Sequence, residues 1–273
     1  MKSAIKVIQE QVNNFYLIRR LSLFELKSKN KNNYLGIAWE IINPAIQILI
    51  YWFVFGTLRE RADVKVAGID IPFFSWLLAA FFLWIFFYQA TIQGSRSIFS
   101  RLKMLSKMNF PMSVIPSYVI FSQFYVHIFM IAVVTIILHF SGFNLNLYTL
   151  QIFYFMLGAF SLIFAISLIT STLSTIVRDI HMLLNSTLRM LLYLSGVLWP
   201  ITILADFPAI MNIMKLNPLY YLIEGYRAAF FSSEWYFITN WEYSLYFWAV
   251  VAVLLLLGSV LHIKFRRHFI DYL

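Results

Sequence analysis

Apolar positions in this chain come in long, nearly unbroken runs rather than in the two-residue alternation of half-buried strands. Between the runs lie short stretches where Lys, Arg, Asn, Pro and Gly gather. A helix needs roughly 20 apolar residues to cross about 30 Å of hydrocarbon. On that measure the pattern predicts six membrane-spanning helices, over about residues 35–58, 72–92, 115–140, 150–176, 183–203 and 243–265. No run has the alternation of an outer-membrane barrel. The expected fold class is an all-α integral membrane protein: an amphipathic interface arm over 1–33, then a transmembrane domain over 34–273.

The pattern differs in the arm. Ile5, Ile8, Val12 and Phe15 recur at steps of three or four with charges and amides between them, which predicts one amphipathic helix. Phe15, Tyr16, Arg19 and Arg20 are its candidate interface residues. Two placements are open: along the headgroup layer with the apolar stripe in the acyl boundary, or packed on the protein's own underside. No short apolar core with a small-residue cleavage site precedes the first span, so targeting is expected through the spans themselves.

Composition and charge sharpen this reading. With 61% hydrophobic and 12% charged residues, the chain is too apolar for a water-facing surface. Its net charge of +9 does not call for a nucleic-acid partner, because sixteen of the 21 Lys and Arg residues fall on one side, in the arm, the second and fourth connections, the tail and the span ends next to them. The positive-inside rule then puts both termini in the cytoplasm, where anionic lipid headgroups attract that face. The absence of Cys excludes disulfides and thiolate metal sites.

Polar residues inside or beside the spans are the candidates for function. Glu40, Asn43 and Pro44 interrupt the first span, and the three together predict a kinked helix whose polar face meets protein or a wet cavity. A snorkelling acid beside a routine proline kink is the plainer alternative. Arg189, about 9 Å inside a helix starting at Leu183, either snorkels or receives an anion such as a diphosphate. Trp39, Tyr51, Trp52, Phe55, Trp84, Phe87, Tyr88, Tyr193 and Trp199 are aromatic candidates to line a conduit, where flat rings can slide along sugar faces; each ring alone could equally belong to an interfacial belt.

Two connections stand out. In residues 95–107, Ile98, Leu102 and Leu105 form an apolar line while Arg96, Arg101, Lys103 and Lys107 stay polar, which predicts a short cytoplasmic helix, either a peg for a motor or ordinary anchoring. Residues 204–242 are too long for a simple link. Asn217 and Pro218 there predict a capped helix start, with Glu224 and Arg227 spaced to pair, and hairpin or re-entrant helices sealing the outer mouth. There is no phosphate-binding GxxxxGK[ST] loop, the five His are scattered, and no paired carboxylates recur in mid-span. Movement of a cargo would therefore need an outside engine.

Four stretches, "NYLGIAWEIINPAIQILIYWFVFG", "KMNFPMSVIPSYVI", "IVRDIHMLLNSTLRMLLYLSGVLWP" and "LNPLYYLIEGYRAAFF", resemble in order and spacing the motifs of ABC-2 type membrane subunits that export bacterial polysaccharides. Within that family the chain looks most like the wall teichoic acid branch. The resemblance covers essentially the whole chain. It implies a half-transporter of the bacterial plasma membrane with no catalytic site, metal or cofactor of its own. Two copies would pair around a conduit, each with a separate ABC subunit that binds ATP and Mg. Arg96, Arg101, Leu102, Lys103, Leu105 and Lys107, with Arg178 and Asp179 of the "RDI" turn, would couple to that subunit. Trp39, Glu40, Asn43, Pro44, Tyr51, Trp52, Trp84, Tyr88, Arg189, Tyr193 and Trp199 would border the path of a lipid-linked, diphosphate-bearing polymer. Asn217, Pro218, Glu224 and Arg227 would form the external gate. Exporters of O-antigen or capsular polysaccharide share the scaffold and stay open as alternatives, as does a small-molecule exporter of the superfamily. A membrane-embedded transferase would need metal-binding or nucleophilic residues that the sequence does not present.

Overall fold

The computed structural model describes residues 2–29, 31, 33–58, 63–66, 68–102, 110–267 and 269. The expected arm forms as two helices in place of one, α1 (Lys2–Asn13) and α2 (Phe15–Lys29). They part at Asn14, whose side-chain amide donates to the carbonyl of Glu10 at 2.8 Å, a local competitor of the helical ladder. Ala4, Val7 and Ile18 are buried against the bundle, while Ile5, Ile8, Val12 and Phe15 stay exposed. The arm thus docks by one face and leaves most of its apolar stripe exposed, with Phe15 meeting Phe121 edge-on.

The first span begins with a 3-10 turn at Gly36–Ala38, continues as α3 (Trp39–Trp52) and ends in a π turn at Phe53–Thr57. Pro44 lies inside α3. It has no N–H to give to the carbonyl of residue 40, so the ladder is weakened beside Glu40. A two-stranded hairpin, β1 (Val64–Val66) and β2 (Ile69–Ile71), follows. It turns at Gly68, whose φ of 81° suits glycine. The sequence reading of a purely helical chain did not include it.

Next comes α4 (Phe73–Ser95), apolar on every side and largely buried, as a helix at the centre of a bundle must be. Around it stand α5 (Val114–Phe140) and α6 (Gln151–Ile176). The expected fifth span over 183–203 is instead α7 (Asp179–Leu194), 16 residues long. At 1.5 Å per residue that is about 24 Å. The helix stops because Ser195 is followed by Gly196 at a φ of 67°, and Pro200 then precedes a 3-10 turn at Ile201–Leu204.

The expected hairpin region folds as α8 (Pro208–Lys215), α9 (Pro218–Phe231) and α10 (Tyr236–Thr239), ahead of α11 (Trp241–Phe265). Asn217 caps α9 by accepting from the Leu219 N–H at 3.0 Å, and Pro218 takes the first turn. Nearly all of α9 is buried against α4, α6 and α11. Among the described residues five helices are long and apolar enough to cross a membrane: Gly36–Phe55, Phe73–Ser95, Val114–Phe140, Leu147–Ile176 and Trp241–Phe265.

Polar side chains tie these helices together where apolar burial alone gives little preference, since lipid is as apolar as leucine. His127 of α5 bonds Tyr226 of α9 at 2.8 Å, and Thr172 of α6 bonds His262 of α11 at 3.1 Å. Trp248 of α11 donates to the Tyr154 hydroxyl at 2.8 Å. The arm and the residue 95–102 turn share one end of the bundle, here the arm end; the β hairpin and α8 to α10 share the other.

Candidate functional site

Glu40, Pro44, Gln47 and Tyr51 follow one another at steps of four, three and four, so they form a single stripe down α3. The stripe is about 16 Å long at 1.5 Å per residue. It faces α4, and the space between the two helices opens into two adjoining cavities that share Ile85 and Gln89 in their walls. The cavity nearer the arm has a volume of about 520 Å³ and is bordered by Trp39, Glu40, Asn43 and Pro44, with Gln123 and His127 of α5 behind them. The other, about 290 Å³, collects Gln47, Tyr51, Trp84, Tyr88, Arg189 and Tyr193. Most of the pathway residues read from the sequence are therefore neighbours along one polar and aromatic seam.

Within the seam Glu40 pairs with Lys29 at 2.7 Å and faces the larger cavity, so the acid is neither bare in lipid nor simply snorkelling. Trp84 stacks on Tyr88 with ring centres 5.9 Å apart, and Tyr88 donates to the Asn185 amide oxygen of α7 at 2.8 Å. Arg189 is exposed on α7 and, because that helix starts at Asp179, lies ten residues from its beginning. Two expected pathway residues lie elsewhere. Trp52 meets Phe74 edge-on at 5.6 Å, and Trp199 donates to the Tyr193 carbonyl at 2.8 Å while packing beside Ile201, Met214 and Tyr220. Of the remaining aromatic candidates, Phe55 packs on Tyr51 at 6.3 Å and Phe87 on Trp84 at 6.3 Å. Gln47 was legible in the α3 spacing and was missed. Gln89, Gln123, His127 and Asn185 belong to other helices, and no local pattern in the sequence joins them.

At the arm end, the residue 95–107 segment does not continue as one helix through its described part. It turns at 96–98 and makes a 3-10 turn at Phe99–Arg101; Lys103, Leu105 and Lys107 lie outside the described residues. Ile98 and Leu102 are buried with Ile18 of the arm, as their apolar line implies. Arg101 forms an ion pair with Glu25 of α2, donates to the Ser97 carbonyl at 3.1 Å and stands 5.5 Å over the Tyr118 ring. Ser95 bonds His181 of α7 at 2.7 Å, and Phe99 meets the same imidazole edge-on at 6.0 Å. Burial and then the Arg96 charge lower the His181 pKa below its ordinary value. Arg96, Arg178 and Asp179 are exposed, as are Tyr16, Arg19 and Arg20 on the arm. The arm, the turn and the start of α7 thus form one joined surface.

Glu10 fastens that surface to the rest of the chain. It accepts from Ser113 and pairs with Arg266 at 2.8 Å. Burial alone would raise its pKa, but the Ser113 hydrogen bond and Arg266 outweigh it and hold the carboxyl below its ordinary range.

At the hairpin end Arg227 is 1% exposed. Its guanidinium pairs with Glu224 at 2.6 Å, donates to the carbonyls of Gly196 and Val197 at 2.9 and 3.1 Å, and lies 3.4 Å from the Trp76 ring centre. The pair expected from its spacing forms, and it also satisfies the backbone exposed where α7 breaks. Asn217 adds a second tie to that break by donating to Ser195 Oγ at 3.2 Å. Among the described residues no group of three or more His, Asp or Glu side chains converges to hold a metal.

Comparison with known proteins agrees with this architecture. The model of the ABC-2 type transporter family matches residues 16–231. The chain is similar to the O-antigen export system permease protein RfbA of Myxococcus xanthus, 23% identical over 83% of this chain and 85% of that protein. It is similar also to two permease proteins RfbA of Klebsiella pneumoniae, each 24% identical, over 89% and 91% of this chain and 90% and 92% of theirs. A multi-pass helical bundle with a family match running from α2 through α9 places the chain plainly: it belongs to the ABC-2 type transporter family.

Proposed function

We propose that this chain is the membrane-spanning subunit of an exporter that moves a lipid-linked polysaccharide of the O-antigen type across the plasma membrane. The observation that carries the reading is the seam between α3 and α4, where amides, aromatic rings and Arg189 follow one another through a span that would otherwise be apolar. Such a surface suits a hydroxylated chain that must avoid hydrocarbon, and the lipid tail can stay in the bilayer beside it. Membership of the family implies pairing with an ABC ATP-binding subunit. The joined surface of Glu25, Arg101, Ser95 and His181 is where its motion would enter this chain. Two copies of each subunit would complete the exporter, with the basic face and both termini in the cytoplasm.

The names of the relatives favour O-antigen export over the teichoic acid branch read from the sequence. The two cargoes differ in chemistry, one a glycan and the other a polyol phosphate. Depletion of the chain tests the choice. A sugar polymer attached to lipid diphosphate should accumulate inside the cell; accumulation of a polyol-phosphate polymer, or of none, would overturn the reading.

A further inference from the structure

The larger cavity of the seam has a lining more specific than passage alone requires. Its wall between α4 and α5 is apolar, with Phe82, Phe86 and Met130, yet Gln123 and His127 are placed there at 4% and 2% exposure. Gln123 leans on Gln93 at 3.4 Å. His127 stacks on Phe86 with ring centres 4.5 Å apart and bonds Tyr226 on one side, while its Nδ1 has no partner among the described residues. On the facing walls Asn43 and Gln89 remain exposed within the bundle. His127 thus borders the cavity with its ring held in place by Phe86 and Tyr226.

The chemistry of the lining selects the ligand. Its cation and its acid, Lys29 and Glu40, already neutralise one another at 2.7 Å. What remains are amides, an imidazole and the Trp39 ring, groups that offer both donors and acceptors and an aromatic face but no net charge. A diphosphate needs free cations and finds a better match at Arg189 in the adjoining cavity. A volume of about 520 Å³ is within the range of small-ligand sites, roughly 300–1,000 Å³.

We propose that this cavity is a saccharide subsite, which receives a neutral sugar of the lipid-linked substrate next to its diphosphate. Asn43 and Gln89 hold the sugar's hydroxyl or acetamido groups, and Gln123 and His127 form a fixed polar wall behind them. The proposal rests on the polysaccharide-exporter reading and adds to it the part of the cargo that this chain inspects. Through the His127–Tyr226 bond the same subsite touches α9, so an occupied cavity is mechanically joined to the hairpin end.

The test uses the full chain with its ATP-hydrolysing partner in nanodiscs. The probes are a polyprenyl diphosphate carrying one N-acetylhexosamine and the same polyprenyl diphosphate without sugar, and the readout is the concentration of each that half-maximally stimulates ATP hydrolysis. The sugar should improve the apparent affinity by about tenfold or more, the worth of one or two well-made hydrogen bonds. Asn43→Leu and Trp39→Leu, at positions that line this cavity and not the adjoining one, should each abolish that advantage. Both positions are exposed, so loss of fold is not the expected result. Equal affinity of the two probes for the unaltered complex, or equal loss of both in the variants, would overturn the subsite and leave the exporter reading standing. No response to either probe would overturn both.

Discussion

Replacing Arg227 by Met keeps the length and apolar stem of the side chain and deletes only the guanidinium. The structure says what that group holds. Two carbonyls at the break after α7 lose their donors, and each buried, unsatisfied acceptor costs about 1–3 kcal/mol. The stack on Trp76 at 3.4 Å adds about 1–2 kcal/mol for a desolvated cation over indole. Glu224 contributes less, because its side chain is 26% exposed and can turn to water. The expected loss is therefore about 3–5 kcal/mol, the range seen when one partner of a buried charge pair is removed. Arg227→Lys should recover less than half, since an ammonium cannot span both carbonyls and lie flat on the ring. Equilibrium unfolding in mixed micelles, followed through tryptophan fluorescence, measures both variants. A loss under about 1 kcal/mol for Met, or full rescue by Lys, would refute the idea that this planar group closes the broken helix.

Gly225→Ala should destabilise the chain by about 1–3 kcal/mol, the scale of overpacking, because the new Cβ would stand 2.2 Å from the Phe155 ring; unchanged unfolding would show that α6 and α9 can move apart. Acidification should weaken the link between the residue 95–102 turn and α7. Since folding holds His181 below its ordinary value of 6.5, its contribution is complete above that pH and falls as pH drops below it towards the folded-state value, at no more than about 1.4 kcal/mol per pH unit. His181→Gln should flatten this part of the stability profile, and an unaltered profile would remove the histidine from it. Glu25→Gln should leave the subunits assembled but lower cargo movement per ATP hydrolysed in reconstituted vesicles, because Arg101 loses its tie to the arm. An unchanged ratio would dissociate that pair from force transfer.

The long apolar runs announced the bundle, and the Glu224–Arg227 spacing announced its best-buried ion pair. The errors fall where a local signal was outweighed by composition. "SGVLWP" contains the Ser–Gly break and the proline that end α7, yet its apolar residues invited a helix through to 203. "DVKVAGIDI" alternates as short strands do, around a glycine, but is only a few residues long between two spans. The candidate site was half legible. Its α3 stripe is visible from spacing alone, whereas Gln89, Gln123 and His127 meet that stripe only because α4 and α5 pack beside it. A partnership such as that of His127 with Tyr226, 99 residues apart, is a property of the fold and has no signature in either neighbourhood.

The tie between Glu10 and Arg266 joins positions 256 residues apart. In a chain made from its amino end, Glu10 emerges long before the arginine it pairs with. Until the tail arrives, α1 is held to the bundle by Glu10 and Gln11 through Ser113 and Ser117. A change in the tail that removes Arg266 should therefore be felt in the arm.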